Sequence, residues 1–180
     1  GVDRVGLDAT ALAEHLRRRS WSTGVLIRLA NAPDLVIDPG SGTWYAEAEL
    51  SQLMPYLTQE IGASEVYPLG QRDLLEFSRY LPQRSLIDLQ WFAGLSLGRG
   101  QLHPDIRSTD RVGMMRVPHQ AKANGNHRSI AEALIQGPAT PEQLVERCQL
   151  PIDEVARFLN ACLFCGWLII DRSDEHRDAA

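Results

Sequence analysis

The cysteines and histidines are the residues of this 180-residue sequence that could bind a metal or carry out redox chemistry, but their spacing matches neither kind of site. Cys162 and Cys165 form a Cys-x-x-Cys pair inside an apolar segment of helical spacing, not at the strand-to-helix turn of a redox motif. No second pair and no histidine pair completes a zinc site. We therefore expect cysteines that pack in a core, and we predict neither a metal site nor a cofactor.

Catalytic residue patterns are also scarce. An enzyme would need a nucleophile beside a base, paired carboxylates in an apolar setting, or a metal cluster. The five histidines are scattered along the chain, none with partners at the spacing of a triad or a metal site, and no Walker-type phosphate loop occurs. These observations predict a protein that is not an enzyme, with a site assembled only in the folded chain as the alternative.

An arginine cluster closes the first predicted helix, which covers residues 7–19. Arg17, Arg18 and Arg19 have two interpretations. They complement the negative C-terminal end of the helix dipole, or, with Trp21 nearby, they bind a phosphorylated ligand such as a nucleotide messenger. Both interpretations stay open at this point.

The stretch from Gly98 to Asn126 and its immediate continuation form the most basic neighbourhood of the chain. Gly, Pro, Asp, Ser, Thr and Asn are frequent here, and only Val112 to Val117 has the pattern of a strand. The basic side chains are Arg107, Arg111, Arg116, Lys122 and Arg128, with His103, His119 and His127 among them. A solvated linker over residues 101–125 and a site for an anionic partner are the two alternatives.

The N-terminal part, residues 1–100, has the pattern of an α+β domain. Three short apolar runs joined by turns, at residues 25–29, 35–38 and 43–46, predict an antiparallel meander. Gly40-Ser41-Gly42 has the composition of a phosphate loop, but a strand follows it, so we expect a hairpin turn. Helices are predicted at residues 47–61 with a kink at Pro55, at 71–80 and at 85–97, with a short extended piece at 65–69.

Residues 126–172 predict three short helices and a strand. The second helix opens with a capping box at Thr140 and Gln143, and Gly166 ends the third helix before an apolar extended run. This order predicts a C-terminal winged helix-turn-helix domain. The charged residues 173–180 predict a disordered tail.

Charge decides how that module is interpreted. After residue 128, nine acidic side chains face four arginines, which places the whole formal net charge of −5 there. An acidic module is poorly suited to a phosphate backbone, so nucleic acid is a disfavoured partner. The mixed polar start of the chain and the absence of a long apolar run predict a cytoplasmic protein that does not bind a membrane.

The outer face of the third helix offers the most specific surface. Its expected side chains include Arg157, Asn160, Ala161 and Phe164, which we predict as a partner-binding patch. An apolar patch rimmed by charge is typical of interaction sites, so we expect a dimer or heteromer contact centred on Phe164, which Phe164→Asp would abolish without unfolding the chain. The alternative is a transcriptional regulator in which Arg157 or Asn160 reads a base edge.

Three short motifs stand in the N-terminal part: Ser22-x-Gly24-Val25-Leu26, Asp38-x-Gly40 and Trp44-Tyr45-Ala46. Over about residues 7–57 they resemble PATAN domains, bacterial modules in which a helical lead enters a "TGVL" strand and a meander follows. Pro39 and the insertion through Gly42 lengthen one turn relative to that pattern. PATAN domains often occur in signalling proteins, some before a winged helix, and have no agreed catalytic residues. The resemblance thus implies a signalling adaptor.

The sequence as a whole predicts a non-enzymatic protein-interaction module of a bacterial signalling or regulatory protein. The alternatives are a DNA-binding regulator that uses the C-terminal winged helix and a sensor that binds a phosphorylated ligand at Arg17 to Arg19.

Overall fold

The computed structural model describes residues 11–172. The predicted start of the first helix at residues 7–10 and the predicted disordered tail at 173–180 lie outside these residues. The chain divides into two compact units, Gly1–Ala93 and Gly94–Ala180, and the boundary falls inside a helix. Within the described residues the fold is mixed α+β, with seven α-helices and a five-stranded antiparallel sheet.

The sheet of the first unit contains the predicted meander at its centre. Its strand order is β4-β1-β2-β3-β5, with β1 Val25–Ile27, β2 Leu35–Asp38, β3 Thr43–Tyr45, β4 Val66–Pro68 and β5 Arg84–Ser85. Val25 pairs with Ile37 and Asp38 pairs with Thr43, so the two predicted hairpins are confirmed. All residues of β1 and β3 are buried, which explains why β1 is entirely apolar and why neither strand alternates with exposed polar side chains.

The helices follow the predicted order. They are α1 Leu12–Arg17, α2 Met54–Thr58, α3 Gln71–Tyr80, α4 Leu86–Ser96, α5 Gly125–Gln136, α6 Pro141–Cys148 and α7 Ile152–Phe164. The helix predicted at residues 47–61 is broken: a 3₁₀ turn at Leu50–Leu53 precedes α2, because Pro55 is accommodated only in a first helical turn.

One face of the sheet is covered by α3. Leu74 of α3 packs against Leu26, Val36 and Tyr45, one residue from each strand of the meander. On α2, the buried Tyr56 hydroxyl lies 2.8 Å from the Ile27 carbonyl oxygen and 2.6 Å from that of Pro33. It thereby joins the helix to the β1–β2 connection.

The Gly40-Ser41-Gly42 loop is a hairpin turn, as predicted. The carboxylate of Asp38 accepts hydrogen bonds from the Ser41 hydroxyl at 2.6 Å and from the Ser41 backbone N–H at 3.4 Å. Gly42 has a φ of +66°, which a residue with a Cβ rarely adopts. Hydrogen bonds to the side chain of Asp38 and the conformation of Gly42 therefore close the turn.

In the second unit, strand β6 Arg111–Gly113 pairs with β7 Ile169–Asp171 through Val112 and Ile170. Val112 also makes a bridge to Ala139, which lies between α5 and α6. The predicted linker at residues 101–125 thus contains a strand of this unit. Its Ile106, Val112 and Ala121 are at most 4% exposed. We correct the linker prediction: polar and glycine-rich composition concealed a segment that contributes to the core.

The predicted helix boundaries of the second unit follow from local chemistry. Thr140 and Gln143 form the predicted capping box at the start of α6. After α7, Gly166 has a φ of +74°, its N–H donates to the Leu163 carbonyl, and the N–H of Trp167 donates to the Cys162 carbonyl. This is a Schellman ending, which satisfies two terminal carbonyls and turns the chain into β7.

Candidate binding groove of the second unit

Helix α7 carries the predicted partner-binding residues, and its outer face is covered by residues 94–105 of the same unit, which we call the strap. Nine of the thirteen residues of α7 are buried. A Cβ atom on Gly94 would lie 2.3 Å from the Cα atom of Ala161, and one on Gly100 would lie 2.6 Å from the Cβ atom of Asp153. The two glycines therefore let the strap approach the helix at backbone distance.

Asn160 fixes the strap through both ends of its amide. Its Oδ1 accepts a hydrogen bond of 2.8 Å from the His103 N–H, and its Nδ2 donates one of 2.8 Å to the Gln101 carbonyl. The side chain is 0% exposed. Arg157 Nη1 also lies 3.5 Å from the Leu95 carbonyl oxygen. These side chains thus contact the backbone of their own unit.

The prediction of an exposed patch centred on Phe164 is wrong. Phe164 is 1% exposed, Ala161 and Asn160 are 0% exposed, and the His103 ring meets the Phe164 ring edge-on at 5.5 Å. The helical spacing placed these residues on one face correctly, but that face is occupied by the strap. Phe164→Asp would bury a carboxylate against an aromatic and would unfold the unit, so it cannot test association.

A groove of about 580 Å³ lies elsewhere in this unit, between residues 115–122 and the start of β7. Its lining consists of Met115, Arg116, Val117, Pro118, His119, Gln120, Lys122, Gly166, Trp167 and Ile169. We call it the basic groove. A volume of this size lies within the usual range for ligand sites.

Two short chain segments form its walls. On one side a 3₁₀ turn at His119–Ala121 is anchored by the buried Pro118 and Ala121. Asn124 then ends this segment by capping α5 through hydrogen bonds to the N–H groups of Asn126 and His127. On the other side the left-handed Gly166 turns Trp167 away from the axis of α7. Both walls are thus held by ordered local structure.

The groove is positive because the charges of Arg116 and Lys122 are not neutralised. Arg116, His119 and Lys122 are exposed, and within residues 11–172 none of the three takes part in an ion pair. No Asp or Glu is among the lining residues. Met115 is 83% exposed and Ile169 is 50% exposed, so large apolar side chains flank the cations. The site combines unpaired positive charge with apolar contact area.

The charge of the whole unit also differs from the predicted acidic module. Residues 94–180 contain ten Arg and Lys and eleven Asp and Glu side chains, which nearly balance. The basic residues concentrate before Ser129, and the acidic residues concentrate after it. Because the structure joins both stretches in one unit, we correct the argument that an acidic module disfavours anionic partners.

The predicted ligand cluster in the first unit has a different environment. Arg17 Nη1 lies 3.5 Å and Arg18 Nε lies 3.8 Å from the same carboxylate oxygen of Glu14, which is 2% exposed. Arg19 is exposed, with a φ of +53° just after α1. Trp21 stacks on His15 at 4.9 Å. Two of the three arginines therefore compensate a buried carboxylate.

Among the described residues, burial alters the proton affinity of His127, Cys162 and Tyr56. Burial lowers the pKa of His127 below its usual value, and the nearby Glu154 acts in the opposite direction. Burial, and then the neighbouring Cys165, raises the pKa of the Cys162 thiol. Burial raises the pKa of Tyr56 to about 12. The prediction that Cys162 packs in the core is confirmed, and Cys165 is half-buried.

A Gly-x-Ser-x-Gly pattern, typical of nucleophilic serines in hydrolases, occurs once, at residues 94–98. The chemistry of that motif requires a sharp turn from a strand into a helix. Here Ser96 is the last residue of α4, and the first glycine serves the close contact with Ala161. Among the described residues, no group of three His, Cys, Asp or Glu side chains could hold a metal ion.

Comparisons with protein-family models, curated proteins and solved structures find no match. The function must therefore be argued from the groove itself. Met115 and Trp167 are the groove residues that the sequence did not identify, since they lie 52 positions apart. The available signal was the basic stretch around Arg116, His119 and Lys122. Within residues 11–172, no helix has the length and apolar composition needed to cross a bilayer.

Proposed function

We propose that this chain is a non-enzymatic protein-interaction module of a bacterial signalling or regulatory protein, and that it binds its partner in the basic groove. The observation that carries this proposal is the combination of two unpaired cations, Arg116 and Lys122, with exposed apolar side chains in an open groove of ordered walls. Such a combination is typical of surfaces that recognise other proteins. The resemblance of the first unit to PATAN domains supports a signalling context.

The second unit is best interpreted as a modified winged helix. The three helices, the tight connection between α6 and α7, and the strand after α7 support this assignment. It differs in its strands, because β7 pairs with β6, which precedes all three helices, and does not form a hairpin wing. The strap and β6 together would be an N-terminal addition to the motif.

This interpretation argues against DNA recognition by α7. In a helix-turn-helix the second helix of the pair presents its outer face to the major groove. Here that face contacts the strap, and the Asn160 amide uses its oxygen and its nitrogen for hydrogen bonds to strap backbone. Reading a base would require those bonds to break and the strap to leave.

Site-directed photo-crosslinking in the native cells tests the proposal. A photoreactive amino acid replaces Met115, which is 83% exposed in the groove. The matched control replaces Ser129, which is exposed on α5 and outside the groove. We expect a crosslinked product at position 115 that protease destroys and nuclease does not, and that position 129 fails to give. A nuclease-sensitive product, or equal products at both positions, would overturn the proposal.

A further inference from the structure

The basic groove has a chemistry that narrows the nature of its occupant. We propose that it binds an extended acidic segment of the partner protein, in which carboxylates flank at least one large apolar side chain. This inference rests on the proposed function of the groove. It goes further in naming the chemical class of the ligand and the role of each wall.

The cations determine the sign of the ligand. Arg116, His119 and Lys122 follow one another at intervals of three residues along one wall, and all three line the groove. Within the described chain they have no carboxylate of their own, in contrast to Arg17 and Arg18, which share Glu14. Arg116 and Lys122 are unpaired cations, which attract carboxylates and repel a basic segment, and the exposed His119 ring between them in sequence can donate a hydrogen bond.

The apolar side chains determine what lies between the carboxylates. Trp167 and Ile169 line the groove from the chain segment that leads into β7, and Met115 lines it next to Arg116. An indole and a flexible thioether provide contact area for aromatic or aliphatic side chains. A ligand with charge alone would leave this area in water, so we expect apolar residues in the bound segment.

A protein segment fits these observations better than nucleic acid. A phosphate backbone carries a continuous row of charges, and its binding depends on many Lys and Arg contacts. The groove offers Arg116 and Lys122 as its only Arg and Lys residues, together with His119, while half of its lining consists of apolar side chains. Alternating carboxylates and apolar side chains match this mixture.

Selection from a random 12-residue peptide library displayed on messenger RNA tests the inference, because it samples all peptide chemistries and does not require the partner to be identified first. The bait is the full chain, and parallel selections use Arg116→Glu/Lys122→Glu and Arg128→Glu. Arg128 is exposed on α5 and does not line the groove, so its variant is a charge reversal outside the groove. We expect peptides rich in Asp and Glu with interspersed aromatic or aliphatic residues from the parent chain and the Arg128 variant only.

Fluorescence anisotropy then measures the affinity of the chain for the labelled dominant peptide and for its amide analogue, which has Asn and Gln in place of Asp and Glu. A DNA duplex and inorganic pyrophosphate are added as competitors of the labelled peptide. We expect at least about tenfold weaker binding of the amide analogue and about the same loss for the double groove variant. The Arg128 variant should bind within about twofold of the parent chain. Displacement of the peptide by pyrophosphate or DNA at lower concentration than by unlabelled peptide would overturn the inference in favour of those ligands.

The two proposals fail in distinguishable ways. Enriched peptides without acidic residues, or no enrichment at all, together with a protein crosslinked at position 115, would overturn the acidic ligand and leave the interaction function standing. No enrichment and no crosslinked protein would overturn both.

Discussion

The outer face of α7 and the basic groove are two surfaces of one unit that differ in exposure: the first is buried and the second is open. The face of α7 has the residues of an interaction patch, yet its Phe164 and Asn160 are buried under the strap. The groove derives from a stretch with the composition of a linker, yet it leaves the cations Arg116 and Lys122 without ion pairs among the described residues. The comparison teaches that residue types on a helix face predict a contact, while the contact partner depends on the rest of the chain.

The arginine cluster of the first unit is a third surface for this comparison, because its charges are partly neutralised. Arg17 and Arg18 are as suggestive in sequence as Arg116 and Lys122, but they surround the carboxylate of Glu14. A cluster of cations therefore becomes a candidate site only when its charges are not already neutralised.

The strongest test of the covered face is Gly94→Val. The new side chain would begin 2.3 Å from the Cα atom of Ala161, so the strap must separate from α7. We expect a loss of about 3 kcal/mol or more in the free energy of unfolding, measured by urea denaturation with circular dichroism. Gly125→Ala is the control, because a Cβ there meets nothing within 4 Å. Equal stability of the two variants would mean that the strap does not pack on α7.

Asn160→Leu tests the polar part of the same contact. The substitution keeps a similar volume but leaves the His103 N–H and the Gln101 carbonyl without their partner. We expect a loss of about 2 kcal/mol in the free energy of unfolding, since buried polar groups without partners are costly. Asn126→Leu, at an exposed position of α5, serves as control in the same urea titration. An unchanged midpoint for Asn160→Leu would show that the amide does not hold the strap.

The open groove should show the reverse behaviour, with an effect on binding and none on stability. Arg116→Glu/Lys122→Glu should weaken binding of the selected peptide at least about tenfold, which corresponds to about 1.4 kcal/mol. The free energy of unfolding should change by less than about 0.5 kcal/mol, because both side chains are exposed. Raising the salt concentration should weaken binding to the parent chain and leave binding to the double variant nearly constant. A large loss of stability would mean that Arg116 and Lys122 support the fold, as the buried residues of α7 do, and are not free to bind a ligand.

A smaller effect should appear in the pH dependence of stability, through the buried His127. Because burial lowers the pKa of His127 in the folded state, the unfolded state binds the proton more tightly. The contribution of His127 to stability is therefore complete above about pH 6.5 and decreases as the pH falls below that value. We expect His127→Gln to reduce the acid sensitivity of the midpoint in urea titrations between about pH 7.5 and about pH 5.5, roughly one unit either side of the ordinary histidine pKa. The same slope in both proteins would assign the effect to other groups.

The smallest effect should come from the first unit. Arg18→Gln removes a half-exposed partner of Glu14, but Arg17 remains at 3.5 Å from the same oxygen. We expect a change of less than about 0.5 kcal/mol in the free energy of unfolding. Pyrophosphate should bind no more weakly to this variant than to the parent chain in isothermal titration calorimetry. Measurable pyrophosphate binding that the substitution abolishes would restore the ligand-sensing hypothesis for this cluster.

Much of the secondary structure could be predicted because its causes are local. Strand β2 at Leu35–Asp38 and helix α3 at Gln71–Tyr80 have the predicted bounds. The capping box at Thr140 and the left-handed Gly166 place the ends of α6 and α7 through contacts within a few residues. In these cases the stabilising partners lie inside the stretch that a sequence pattern describes.

The candidate site could be predicted only in part. The sequence shows Arg116 and Lys122 as part of a basic stretch, but it does not show whether they form ion pairs. The sequence predicts an extended run that begins at Trp167, but it does not indicate what the Trp167 side chain faces. The two walls meet because β6 pairs with β7, a contact between residues 111–113 and 169–171.

The amino-acid sequence by itself determined the helices, the meander and the turns of this protein, because capping residues, glycines and apolar periodicity act over a few positions. The tertiary structure decided which surfaces remain available. Asn160 finds its hydrogen-bond partners 57 and 59 residues away, and Gly94 reaches Ala161 across a similar span. Such contacts depend on the path of the whole chain, and that path buries one predicted surface and leaves the basic groove open.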